Sequence, residues 1–183
     1  MVDQLDAHLF HGLIRTAHAV RSLQGVDDQP RRAELAAGLA SWVAWALVPA
    51  GAPQPEADTA TTAAPLAVVL DAARRGAGAF AAKPTIFTLH AVTAPMAFLL
   101  LAEHVDESIH ARAAAAFART HHGHGQPPAR AGEPTPTPDP AAIARLAQRW
   151  DAHPAKLIEA ALRGHTLTGD VVFLDAAAAM LAR

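Results

Sequence analysis

The sequence contains no cysteine. This absence excludes a disulfide framework, thiolate metal binding and thiol catalysis. Any metal ion would therefore need histidine, carboxylate or a modified side chain as a ligand. Lysine is also scarce, because thirteen of the fifteen basic residues are arginine. One of the two lysines, Lys156, follows His153 by three residues in the stretch WDAHPAKLIEAALRG.

The chain has little net charge, a formal −2 at neutral pH, and no basic cluster. It therefore offers no general attraction to nucleic acid or to an anionic membrane, and we expect neither as a partner. Its first residues, MVDQLDAHLF, carry acids where a secretory signal has a basic region followed by an apolar run. We therefore expect no export signal and a cytoplasmic location.

Long β-branched runs and hairpin turn signals are missing, whereas alanine is abundant. This pattern predicts an all-α fold. At 183 residues the length suits a single-domain helical bundle covering the whole chain, 1–183. The apolar stretch from Thr85 to about Glu103 approaches the length of a membrane span, but His90 and Pro95 favour a buried central helix.

Capping residues, glycines and prolines place the other helices. A first helix is expected from about Asp3 to Leu23, and a second, capped by Asp28, continues to about Val48. A short helix after the 49–64 loop is expected to stop at Gly76. The remaining expected segments are a helix after Asp106, a flexible Pro/Gly-rich loop at about 121–140, and the helices PAAIARLAQRW, PAKLIEAALRG and DVVFLDAAAAMLAR.

The first helix carries a stripe of polar residues. At about 100° per residue, His11 and His18 lie only about 20° apart around the helix, and Arg15 is close to both. The stripe is either the solvated face of the helix or part of a site. As a site residue, Arg15 would position a phenolate or carboxylate through a charge-assisted hydrogen bond.

His90 has apolar neighbours on every side of its predicted helix and is expected to be buried. A buried imidazole requires a hydrogen-bond partner or a metal ion. A core histidine whose ring bonds to a backbone carbonyl is the commoner outcome, and metal binding is the alternative.

Lys156 permits two interpretations. Asp151 or His153 can cap a helix that begins at Pro154, and Lys156 then faces Glu159, which predicts an ordinary surface ion pair. The chain's strong preference for arginine favours the other interpretation, because lysine alone can lose its proton and form a carbamate.

Four segments follow one another along the chain in this order: FHGLIRTAHAVRSL, RRAELAAGLASWVA, IFTLHAVTAPMAFLLL and AHPAKLIEAAL. Together they resemble the signature segments of the questin oxidase-like family. The resemblance implies a mostly helical enzyme that opens the ring of an anthraquinone-type aromatic polyketide, by Baeyer–Villiger-like chemistry or dioxygenation. It also implies a non-haem iron, or another divalent transition metal, held by His11, His18, His90, His153 and a carboxylated Lys156. A requirement for NADPH is left open.

The resemblance extends over the C-terminal half of a typical family member. A fragment, a compact member that dimerises to complete its pocket, and a remnant without activity are all compatible with it. We therefore expect a metal-dependent oxidoreductase acting on a small aromatic substrate. The alternatives are a non-catalytic helical binding or assembly module and a cofactor-independent acid/base enzyme using His90 with Glu159 or Arg15.

Overall fold

The computed structural model describes residues 10–46, 64–121, 152–182 and single positions at 136, 138, 139, 141, 142 and 145. The described residues are almost all helical and include no strand, which confirms the all-α prediction. The helices are α1 (His11–Gly25), α2 (Gln29–Ala46), α3 (Pro65–Ala82), α4 (Ile86–Leu101), a 3₁₀ turn (Ala102–His104), α5 (Glu107–His121), α6 (His153–Thr168) and α7 (Val172–Leu181).

The chain forms two compact units. The first unit comprises Met1–Val69 and Ala97–Thr120, and the second comprises Leu70–Met96 and His121–Arg183. Both therefore contain segments that are distant in sequence. The single domain that was expected from the sequence stays a prediction.

In the first unit, α1 and α2 form an antiparallel helical hairpin. The Asp28 carboxylate accepts a hydrogen bond of 3.0 Å from the backbone N–H of Arg31, which confirms the predicted cap of α2. A β-carbon built on Gly12 would lie 2.9 Å from the α-carbon of Trp42, so glycine is what permits the two helices to approach there.

Phe10 sets the beginning of α1. Its backbone is in the left-handed region, with φ of 64°, so the helix expected from Asp3 does not run through this position. Its buried ring stacks on Phe117 of α5 at a centroid distance of 5.5 Å, and Phe98 meets Phe117 edge-on. We attribute the unfavourable backbone angle to this aromatic packing, which compensates for it.

In the second unit, α3 continues through Gly76 to Ala82, so the expected stop at Gly76 is wrong. A β-carbon built on Gly76 would lie 2.3 Å from the carbonyl oxygen of Ala91. Gly76 is therefore a point of close approach to α4 and not a helix end. The N-terminus of α4 is capped by two threonines, Thr85 and Thr88. The hydroxyl of each accepts a hydrogen bond from the backbone N–H of the other.

The helix α6 departs from expectation at both ends. It begins at His153 with Ala152 as its cap residue and no side-chain cap, so His153 does not cap a helix starting at Pro154. It also passes through Gly164, where the expected segment ended, and stops at Gly169, whose φ of 71° suits glycine. A β-carbon on Gly164 would lie 2.6 Å from the ring of Phe173.

Some expectations fall on positions outside the described residues: the helix start at 3–9, the 49–63 loop and most of the 121–140 loop. Asp151, the other candidate cap, also lies outside them. Ala141, Ala142 and Arg145 are helical and belong to the expected segment PAAIARLAQRW.

The stretch Ile86–His104 is long and apolar enough to cross a membrane by length and composition alone. In the structure 61% of its most apolar window is buried inside the protein. The core helix of a soluble protein has the same properties, so the helix is compatible with the expected buried central position.

Candidate metal centre

His90 is buried in α4, with only 2% of its surface exposed. Its Nδ1 lies 2.7 Å from the carbonyl oxygen of Ile86, one helical turn earlier. A carbonyl oxygen can only accept a hydrogen bond, so Nδ1 must carry the proton. In the neutral ring, Nε2 then carries the lone pair. The backbone of α4 therefore orients the His90 ring as the rings of metal-binding histidines usually are, with one nitrogen held by a backbone carbonyl.

His153 brings a second imidazole to His90 within the second unit. The ring centroids are 5.5 Å apart and the rings meet edge-on at 69°. A ring nitrogen of each lies within 4.8 Å of the other. Nitrogen ligands of one metal ion are roughly 3–4 Å apart, because metal–nitrogen bonds are about 2.1 Å long. A small rotation of either ring would bring the pair into that range.

The position of His153 in its helix also suits a ligand. It is the first residue of α6 and is half-buried. A regular helix thus holds its backbone, and a site built on a helix places its side chains more precisely than one built on a loop. Pro154 follows directly, in the first turn, where its missing N–H costs no helical hydrogen bond.

His90 and His153 were both predicted as ligands, and the structure brings their rings together within the second unit. His11, the third of the predicted histidines, is exposed at the first position of α1 in the first unit. Its role as a ligand stays a prediction.

The other two candidates on α1, Arg15 and His18, lie about one and two turns after His11. His18 is half-buried. Arg15 is exposed and donates two hydrogen bonds, of 2.7 and 3.1 Å, to the carboxylate of Glu34 on α2. This bidentate pairing lowers the pKa of Glu34 and raises that of Arg15. The guanidinium of Arg15 thus links α1 to α2 in the structure.

Lys156 lies on α6 one turn after His153 and is half-buried. The expected surface ion pair with Glu159 is not present, because the Glu159 carboxylate accepts a hydrogen bond of 3.1 Å from Nε of Arg163. Among the described residues, no hydrogen bond or ion pair of the Lys156 amine is found. The carbamate role of Lys156 stays a prediction.

Arg163 is a structural residue that the sequence did not reveal. While Nε bonds Glu159, its Nη1 donates a hydrogen bond of 2.7 Å to the carbonyl oxygen of Met96 in α4. The side chains of the ion pair are only 20% and 25% exposed. Since His90 and His153 lie on the same two helices, this bond helps to fix their separation. The spacing of Glu159 and Arg163 was a visible signal for the pair, but nothing in the sequence indicated the carbonyl.

No family model, no curated protein and no solved structure matches the chain. The class that the fold and the site define is a helical protein with a candidate histidine metal centre.

Proposed function

We propose that this protein is a metal-dependent oxidoreductase whose metal ion is held by His90 and His153. The observation that carries the proposal is the His90 ring. It is buried, its Nδ1 proton is directed to the Ile86 carbonyl, and its other edge meets a second histidine. A solitary core histidine would need only the first of these contacts.

The donor set favours a first-row transition metal such as iron, because neutral imidazoles suit these ions. Such an ion, when bound, supplies redox and Lewis-acid chemistry toward dioxygen and phenolic oxygens. The chain itself would bind the ion through His90 and His153 and limit the access of water through the buried wall of α4. An anthraquinone-type aromatic polyketide as substrate, and oxidative opening of its ring, are proposed on the resemblance of the sequence to the questin oxidase-like family.

Metal analysis of protein purified without a histidine tag tests the centre. Wild-type protein should retain a stoichiometric transition metal, and His90→Ala and His153→Ala should lose it. His104→Ala, which removes an exposed histidine of the first unit, is the matched control and should keep the metal. Circular dichroism would establish that each variant is folded. A metal-free wild type, or a His90→Ala protein that is folded and keeps its metal, would contradict the proposal.

The reaction needs a separate measurement. Oxygen consumption with a hydroxylated anthraquinone should require the metal and should stop when a chelator is added. Turnover of the substrate without oxygen uptake and in the presence of a chelator would instead support the cofactor-independent acid/base enzyme. Repeating the measurement with and without NADPH would show whether an external reductant is needed.

A helical assembly module is the second candidate. Leu39 and Val43, one helical turn apart on α2, are 39% and 42% exposed. Apolar side chains so placed are compatible with a partner helix. Sedimentation of the purified protein distinguishes the two candidates: a metal-free protein that exists only as a complex favours the module, whether the partner is a second copy or another protein.

A further inference from the structure

Phe87 is the exposed phenylalanine among the six of this chain, all of which the structure describes. It is 66% exposed at the second position of α4, and the preceding residue, Ile86, is 42% exposed. The other five phenylalanines are buried: Phe10, Phe80, Phe98, Phe117 and Phe173. Since adjacent exposed apolar side chains mark a binding surface more often than scattered ones do, the position of Phe87 calls for an explanation.

The cap of α4 does not provide one. Thr85 and Thr88 bond each other, and the Thr88 hydroxyl also donates a hydrogen bond of 3.0 Å to the carbonyl oxygen of Lys83. The apolar residue that packs against the chain before a capped helix is usually the fourth residue of the helix. That residue is Leu89, and it is buried. Phe87 therefore has no part in the cap, but the hydrogen bonds of the cap hold its backbone in place.

The exposed end of α4 is also the end toward which the His90 ring points. Nδ1 of His90 lies 2.7 Å from the Ile86 carbonyl oxygen, so the ring lies against the peptide group that joins Ile86 to Phe87. Residues 89–98 are all buried, and Ile86 and Phe87 are the exposed residues of this helix. A molecule that approaches His90 from solvent along α4 therefore meets these two side chains first.

We propose that Phe87 is the specificity-determining residue of the site formed by His90 and His153, and that its exposed ring stacks on a planar aromatic ring of the substrate. This inference rests on the proposed function, because it names the surface that receives the substrate of that site. Stacked aromatic rings attract each other beyond the apolar area that they bury, and a saturated ring of similar size cannot reproduce this attraction. Ile86 adds apolar area next to the ring. Phe87 thus selects aromatic ligands over saturated ones.

Equilibrium dialysis with a soluble planar probe, anthraquinone-2-sulfonate, tests this surface. Phe87→Ala should bind the probe about tenfold more weakly than wild type, because it loses both apolar area and the aromatic face. Phe87→Leu keeps apolar area and should lose about two- to tenfold, whereas Phe87→Tyr should match the wild type. Leu167→Ala is the matched control and should also match it, because Leu167 is an apolar side chain of the second unit that is 59% exposed. Cyclohexanesulfonate, a saturated ligand, should not distinguish Phe87→Leu from the wild type.

Steady-state kinetics and metal analysis separate this inference from the proposed function. Phe87→Ala should keep its metal and should raise KM for a hydroxylated anthraquinone with little change in kcat, because stacking stabilises the bound substrate and the transition state alike. Wild-type probe affinity in Phe87→Ala, or an equal loss in Leu167→Ala, would overturn the inference and leave the metal centre standing. Binding to phosphatidylcholine vesicles that Phe87→Ala loses, with no loss of probe binding, would overturn it in favour of a lipid surface. A metal-free wild type that binds the probe through Phe87 would overturn the proposed function and keep the aromatic binding surface.

Discussion

Gly76 of α3 and Ala91 of α4 approach so closely that a β-carbon on the glycine would lie 2.3 Å from the alanine's carbonyl oxygen and 2.5 Å from its carbonyl carbon. Pro95, four residues after Ala91, has no N–H with which to close the usual helical hydrogen bond to that carbonyl. The missing N–H of Pro95 and the missing side chain of Gly76 thus meet at the same carbonyl group.

Gly76→Ala should therefore destabilise the protein, although alanine is the better helix former by about 1 kcal/mol. The added methyl group has to displace backbone atoms, and overpacking of this kind costs about 1–3 kcal/mol. Urea unfolding followed by circular dichroism measures the change. Gly25→Ala is the control, because nothing lies within 4 Å of a β-carbon there, and it should be neutral or slightly stabilising.

The glycines also show which helix ends could not be predicted from the sequence. Glycine at the end of an apolar run predicts a helix stop, and α1 does end at Gly25, yet α3 and α6 continue through Gly76 and Gly164. The difference lies in what the two internal glycines meet: Ala91 in one case and the Phe173 ring in the other. Such contacts join residues of different helices. The cap at Asp28, a local interaction, was predictable.

Arg163→Gln should destabilise the protein by about 1–3 kcal/mol, because it removes one member of a largely buried ion pair and the donor to the Met96 carbonyl. Arg75→Gln is the matched control. Arg75 pairs with Asp71 at the same i,i+4 spacing, but their side chains are 34% and 40% exposed, so its loss should cost under about 1 kcal/mol. Equal effects of the two substitutions in urea unfolding would show that the bond to Met96 contributes nothing.

The same substitution should weaken metal binding, since Arg163 and Met96 join the helices that carry His153 and His90. A supporting contact of this kind is worth roughly 10- to 100-fold in metal affinity. Competition with a chromophoric chelator measures it. Arg163→Gln should lose affinity and Arg75→Gln should not, and an unchanged affinity in both would mean that the histidines are held by other contacts.

Asp170 predicts a pH dependence of stability. Burial raises the pKa of its carboxyl, but the N–H of Val172 and the guanidinium of Arg74 outweigh burial and hold the pKa below its ordinary value of 3.8. The ionised group therefore stabilises the fold at pH well above 3.8, and this contribution is lost as the pH falls through the lowered pKa. The free energy of unfolding of Asp170→Asn should differ from that of the wild type most near neutral pH and converge with it below pH 3.8.

The residues of the candidate site were easier to predict from the sequence than the ends of the helices. The burial of His90 followed from apolar neighbours all around it, and the structure confirms it. Its hydrogen bond to the Ile86 carbonyl was the commoner of the two expected outcomes. The approach of His153 required a contact between residues 63 positions apart, which only the resemblance suggested.

Lys156 provides the sharpest test of the ligand set, because the chain supplies its own control. If its amine carries a carbamate that binds the metal, affinity in wild-type protein should rise when bicarbonate is added, and Lys156→Arg should lose both that dependence and at least about tenfold in affinity. Lys83→Arg, at the other lysine, which is exposed after α3, should behave as the wild type. Labelling with ¹³C-bicarbonate gives a direct observation: metal-loaded wild type and Lys83→Arg should show a carbamate resonance that Lys156→Arg lacks. A Lys156→Arg protein with full metal affinity would leave the histidines as the whole ligand set and return Lys156 to an ordinary surface charge.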